Sequence, residues 1–161
     1  MSTKRYELIP IGKILFSEKG PRIQIDGKYQ AALKGLDGFS HVEVIWWFSR
    51  SDDEVSRNTL EVFPPYKTSV QSMGVFATRS PARPNPLGLS TARILSVKAD
   101  DLHIVIDHID AENETPVLDL KPYTPSLDRV ERPIVPNWCR HWPASIEKAA
   151  DFDWENEFID S

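Results

Sequence analysis

With a single cysteine, Cys139, in 161 residues, the chain can form neither an internal disulfide nor a cysteine-based zinc site. That scarcity fits a reducing compartment. No apolar run approaches the length of a membrane-spanning helix, and the N-terminus MSTKRYELIP lacks the hydrophobic segment of a secretory signal, so a cytoplasmic location is expected. Seven glycines fall in neither the P-loop nor the G-x-G-x-x-G spacing, and no G-x-S-x-G elbow is present. Any nucleotide-sized ligand must therefore be held without a Rossmann or P-loop cradle. The four histidines, His41, His103, His108 and His141, show no metal-ligand spacing, and no metal is expected.

What is abundant is proline. Thirteen prolines are spread through the chain, each fixing φ and removing a backbone donor, so helices are confined to short gaps. The length suits one domain. Charge is divided along the chain. Residues 1–98 carry fourteen Lys or Arg against nine Asp or Glu, a balance of +5, whereas residues 99–161 carry five against fifteen, a balance of −10. The front permits an anionic partner; the acidic end reads as a solvated tail that would repel nucleic acid.

Strand signals dominate. Ile9 to Phe16 reads as a first strand, residues 28–37 as a helical turn or two closed by Gly35, and HVEVIWWF at 41–48 as a buried central strand. Met73 to Thr78 reads as another strand. LSTARILSVK at 89–98 and LHIVIDHID at 102–110, joined by a short polar turn, form a hairpin. Val117 to Leu120 is one more strand, and the one late helix lies around Ala144 to Ala150. Five to seven strands with short helices predict a mainly β fold, a barrel or a sandwich.

Chemistry concentrates in ATRSPARPNPLGLS, residues 77–90. Pro81, Pro84 and Pro86 hold the backbone extended, so Thr78, Arg79, Ser80 and Arg83 are presented at little further entropic cost. Arg79 and Arg83 offer forked donors suited to a carboxylate or phosphate, and Gly88 permits close backbone approach. Three readings stand on the residues alone: a stiff connector, an anion cradle, and a P-x-x-P ligand for an SH3-like partner. In the hairpin's second strand, alternation puts Ile104, Ile106, His108 and Asp110 on one face, with His108 and Asp110 at the mouth end.

MGVFATRSPARPNPLGLS at 73–90, GLDGFSHV at 35–42 and TPVLDLKPY at 115–123 together resemble the signature blocks of the TsaA/TrmO (YaeB-like) family, in family order over roughly residues 8–125. The resemblance implies a compact, non-Rossmann β-barrel over residues 1–140 followed by an acidic, Trp-containing tail over 141–161. It implies a homodimer that binds S-adenosyl-L-methionine near the subunit interface and methylates N6 of threonylcarbamoyl-adenosine beside the anticodon of tRNA. Carried over by motif, Arg79 becomes a cofactor contact and Leu89 pocket wall; Pro21, Arg22 and Ile23 match the family's early Pro-Arg pair; Thr115, Pro116 and Val117 match the segment that closes on the cofactor. Ser49 and Arg50, at the end of the aromatic strand, stand where the resemblance implies a cofactor-contacting pair and the family shows His-Gln. Arg83 and Tyr123 are candidates to touch substrate, and Asp110 or Asp119 to accept the amine proton. A smaller methyl acceptor, or a non-catalytic module that binds the cofactor, are the alternatives. Where the family shows Asp-Gly before Thr-Pro, this chain has Asn113-Glu114, which predicts a reshaped loop, because glutamate disfavours the positive φ open to glycine.

Overall fold

A computed structural model describes residues 4–68 and 71–159. Six strands close into an antiparallel barrel: β1 (Gly12–Ser17), β2 (Gly20–Ile25), β3 (His41–Trp47), β6 (Leu87–Lys98), β7 (His103–Ile106) and β8 (Pro116–Pro122), in the order β1-β2-β7-β6-β3-β8. β4 (Glu61–Val62) and β5 (Met73–Gly74) form a separate two-stranded ribbon. Helices are short: α1 (Glu54–Asn58), α2 (Pro125–Asp128) and α3 (Ile146–Ala149).

Alternation builds the wall. In β2 Pro21, Ile23 and Ile25 point inward while Arg22 and Gln24 point out; in β3 Val42, Val44 and Trp46 point inward. Ile14, Ile23, Val42, Val44, Ile104 and Val117 are fully buried and fill the barrel. Closure of β1 onto β8, with Gly12 opposite Val117, leaves the barrel no unpaired edge.

The expected elements are present with shifted limits. β1 starts at Gly12 rather than Ile9, beyond Pro10, which has no N–H for a ladder. Residues 28–37 form 3₁₀ turns at Gly27–Leu33 and Leu36–Gly38, separated by Gly35 at φ 85°. The strand expected over 73–78 stops at Gly74 and continues as a 3₁₀ turn, Val75–Ala77. Its carbonyls are diverted: the Arg83 guanidinium takes the Val75 and Thr78 oxygens, which a ladder would otherwise need.

Alternation in β7 also ends early, at Ile106. Asp107 Oδ1 accepts the backbone N–H groups of Arg93 and His108, which turns the chain, so that Ile109 enters the core and both His108 and Asp110 are exposed. The predicted shared face of Ile106, His108 and Asp110 is therefore not formed.

Candidate functional site

β1, β3 and β7 end where β2, β6 and β8 begin, so the 48–86 excursion, the 107–115 loop and the β1–β2 turn all rise from one end of the barrel. This mouth gathers most of the sequence-predicted residues. Ser49 and Arg50 lie in the 3₁₀ turn that leaves β3, and Arg50 Nε meets Glu112 Oε2 at 2.7 Å, joining that turn to the 107–115 loop. Both partners are largely solvated, so the pair contributes little stability and can open. Thr115 is buried, its carbonyl accepting from Ile14 N–H at 2.9 Å, and Pro116 follows it half-buried. The Val117 side chain belongs wholly to the core and is not open to the mouth.

On the adjoining wall, Arg79 Nη1 donates to the Leu89 carbonyl at 3.2 Å. That bond places a forked cation over the outer face of β6. Leu89, half-exposed, stands beside Ile45 of β3, which stands beside Asp119 of β8, giving an apolar row with a carboxylate at its far end. Asp119 is engaged: its Oδ1 accepts Leu120 N–H and its Oδ2 lies 3.1 Å from Lys121 Nζ. Asp110, by contrast, makes no hydrogen bond or ion pair to another described residue.

Arg83 is turned inward on its own loop. Nη2 donates to the carbonyls of Val75 at 2.5 Å and Thr78 at 2.8 Å, and Nε is buried with no protein partner. Tyr123 lies at the opposite end of the barrel, its N–H on the His41 carbonyl and its ring edge-on to that imidazole. Tyr123 is therefore not brought together with the residues of the mouth.

The early Pro-Arg pair is separated from this group in another way. Ile23 is core and Pro21 is buried, while Arg22 points outward from β2. Arg22 lies on β2 and Leu89 on β6, two strands apart around the six-stranded barrel with β7 between them, so Arg22 is set off from the Arg79–Leu89 pair. The Arg22 guanidinium has no hydrogen-bond partner among the described residues, and its Nε is buried. A half-buried cation of this kind is suited to an anionic group from outside the chain.

Glu114 stands at the loop position where the family shows glycine. It keeps the left-handed conformation, φ 66°, that glycine would favour, and its carboxylate meets Lys13 Nζ at 2.9 Å. At this φ the residue bears a local strain. Among the described residues no group of three or more His, Cys, Asp or Glu side chains comes together as a metal would require, and no helix is long and apolar enough to cross a membrane.

Comparison with known proteins agrees with this frame. A family model described as the N-terminal domain of tRNA-methyltransferase O matches residues 2–129. The chain belongs to that family. A Methanocaldococcus jannaschii protein named "Probable S-adenosyl-L-methionine-binding protein" is 39% identical over 123 residues, 76% of this chain and 96% of that protein. An S-adenosyl-L-methionine-binding protein of Archaeoglobus fulgidus is 38% identical over 117 residues, 73% of this chain and 78% of that one. The crystal structure of TrmO from Pseudomonas aeruginosa is similar with a TM-score of 0.63 and 25% identity, covering 83% of this chain and 61% of that chain. This chain thus spans about three-fifths of that enzyme's length, and residues 130–161 lie outside the match to the family model.

Two residues on the loops that rise from the mouth, Glu112 and Tyr66, are not marked by the sequence. Neither sits in a recognisable motif. Glu112 is identified only by its ion pair to Arg50, and Tyr66 only by its ring contacts with Trp138, Trp142 and Phe158.

Proposed function

We propose that the protein is an S-adenosylmethionine-dependent methyltransferase that methylates N6 of threonylcarbamoyl-adenosine next to the anticodon in tRNA. The observation that carries this reading is the forked cation of Arg79 fixed on the Leu89 carbonyl, at the head of an apolar row and beside the Thr115–Val117 segment. When bound, the cofactor supplies an electrophilic methyl group on a positively charged sulfur. Arg79 would hold its carboxylate through charge-assisted hydrogen bonds, Leu89 and Ile45 would pack its apolar parts, and Thr115 with Pro116 would close the rim. These groups bind and orient; holding acceptor nitrogen and methyl carbon in line accounts for much of the rate expected of such a site. The proton leaving the acceptor nitrogen goes to Asp110, the exposed carboxylate at the mouth that no protein cation engages, rather than to Asp119, which Lys121 and Leu120 already occupy.

The site is completed by a second copy. Arg22 has no protein partner among the described residues and stands two strands from Leu89; in a homodimer, Arg22 of one protomer would add a second cation to the Arg79 wall of the other.

Calorimetric titration with S-adenosylmethionine tests the binding reading. Arg79→Ala should weaken affinity about ten- to hundredfold, the value of one charge-assisted interaction; no heat with the native chain, or none lost on substitution, would defeat it. Incubation with labelled cofactor and total tRNA from a strain unable to methylate that adenosine tests the acceptor. Label in the tRNA supports the proposal, whereas cofactor binding without label points to a smaller acceptor.

A further inference from the structure

Two phenylalanines of the excursion at the barrel mouth are left out of the packing. Phe76 is 86% exposed and Phe63 79% exposed. Phe63 follows β4 and Phe76 follows β5, so the two rings stand at opposite ends of the antiparallel ribbon. Single apolar residues are ordinary on a protein surface, and exposure alone assigns them nothing. Phe76 differs in the frame that holds it.

Phe76 is the middle residue of the 3₁₀ turn Val75–Ala77, three residues before Arg79. Val75 is buried, and its N–H donates to the Leu60 carbonyl at 2.9 Å. The Val75 carbonyl accepts from Thr78 N–H, Thr78 Oγ1 and Arg83 Nη2, and the same Arg83 nitrogen reaches the Thr78 carbonyl. The backbone on both sides of the ring is thus tied down while the ring faces water. Beyond the other end of the ribbon, Tyr66 stacks on Trp138, centroids 5.7 Å apart at 21°, and meets Trp142 edge-on at 4.8 Å, in a cluster that Phe158 and Trp154 complete. Lys67 N–H donates to the Glu157 carbonyl at 2.9 Å in the same place. An aromatic ring on a backbone already ordered takes a flat partner at little further entropic cost.

The charge of this stretch has one sign. Between Glu61 and Asp100 the sequence holds Lys67, Arg79, Arg83, Arg93 and Lys98 and no Asp or Glu, in a chain whose formal charge is −5. Carboxylates that precede the stretch are engaged within the chain: Glu61 takes Ser72 Oγ, Asp53 takes Ser56, and Asp52 takes the Trp47 indole and the Arg57 guanidinium. Cations interleaved with exposed aromatic rings suit an unpaired nucleic-acid strand, whose phosphates are drawn by the charge and whose bases stack on the rings.

We propose that Phe76 is a stacking platform for an unpaired base of the acceptor RNA beside the nucleotide that is methylated, with the RNA phosphates drawn to the carboxylate-free stretch. The identity of the acceptor rests on the methyltransferase reading above. A duplex keeps its bases stacked inside, so such a platform selects loop over stem.

Fluorescence anisotropy with a labelled RNA hairpin of anticodon stem-and-loop sequence, and with a fully paired duplex of the same stem, tests the platform without any methyl transfer. The native chain should prefer the hairpin; no binding, or equal affinity for the duplex, overturns the proposal. Phe76→Ala should weaken hairpin binding about five- to hundredfold, the span that stacking of one base on an aromatic ring carries. Phe76→Leu, which keeps apolar area without a π-face, should be weakened too, and full affinity in either variant overturns the platform. Phe76→Trp should bind as the native chain does, with its added emission quenched by the hairpin; emission that the hairpin leaves unchanged overturns the stacking.

Native chain and Phe76→Ala should sediment at the same mass and bind S-adenosylmethionine equally by calorimetry. A fall in mass would make the ring an interface between copies of the chain, a fall in cofactor affinity would assign it to the cofactor, and either result overturns the RNA role. In methyl transfer to tRNA, Phe76→Ala should raise KM with kcat held. A native chain that binds the hairpin and transfers no methyl group defeats the methyltransferase reading and leaves the platform in place, whereas a native chain that labels tRNA no better than Phe76→Ala does overturns the platform alone.

Discussion

The indole of Trp46 occupies the space in which a Cβ on Gly88 would lie. Trp46 points into the barrel from β3, Gly88 is its register partner on β6, and the six-membered part of the ring rests against the glycine backbone while Nε1 donates to Ser90 Oγ at 3.0 Å. Gly88 is thus required by close approach and not by a special φ, and it lies one residue before Leu89. Gly88→Ala should force the ring off this position and cost about 1–3 kcal/mol, the usual range for overpacking. Thermal unfolding should show a fall of about 2–4 °C per kcal/mol for a chain of this size. A variant that melts with the native chain would mean the ring has free space elsewhere.

Arg83 stabilises the loop that carries Arg79. Its Nη2 serves two carbonyls, of Val75 and Thr78, in a half-buried setting. Arg83→Gln leaves those acceptors short of a donor and should lower stability by about 1–3 kcal/mol, while cofactor affinity falls with it because Arg79 loses its support. Urea unfolding and calorimetry on one preparation check both. If the variant is as stable as the native chain, binds cofactor fully and still loses tRNA labelling, Arg83 belongs instead to the nucleic-acid contact.

Glu114 supplies a test of backbone strain. With φ at 66°, a glutamate bears a cost that glycine avoids, on the order of 1–2 kcal/mol, and the solvated pair with Lys13 returns about 0–1 kcal/mol. Glu114→Gly should therefore be at least as stable as the native chain, and Glu114→Val, β-branched at positive φ, clearly less stable. Chemical denaturation ranks the three. The order valine above glycine would show that the loop does not hold this conformation in solution.

What could be read from the sequence followed local chemistry. β3 announced itself through HVEVIWW, and the β6–β7 hairpin through its two apolar runs and polar turn, because neighbouring residues decide both. The phase reversal after Ile106 was not legible, since it depends on Asp107 accepting from Arg93, fourteen residues away. The same holds for the truncated strand after Gly74, which ends where Arg83 takes the carbonyls. Within the candidate site, the motif singled out Arg79 and Leu89, but the position of Arg22 two strands away from Leu89 follows from strand order around a closed barrel, which no spacing encodes. The tail read as acidic solvated surface; its tryptophans instead pack on Tyr66, a long-range contact visible only in three dimensions.

That packing makes the tail sensitive to acid. Hydrogen bonds from the Trp142 indole and from His141 hold the Glu157 carboxyl below its ordinary value. A carboxylate whose folded value is depressed contributes stability that is complete above its unfolded value and is lost as pH falls through the folded one, so the tail should loosen at acidic pH and be fully docked at neutral pH. Tryptophan emission reports this directly, because Trp138, Trp142 and Trp154 all lie in or against the cluster. Emission should shift to longer wavelength below the ordinary glutamate range, before the barrel unfolds as judged by far-UV circular dichroism. Glu157→Gln keeps the shape but removes the charge, and should abolish that separate step. A shift of the same size and midpoint in Glu157→Gln would place the acid-sensitive group elsewhere in the molecule.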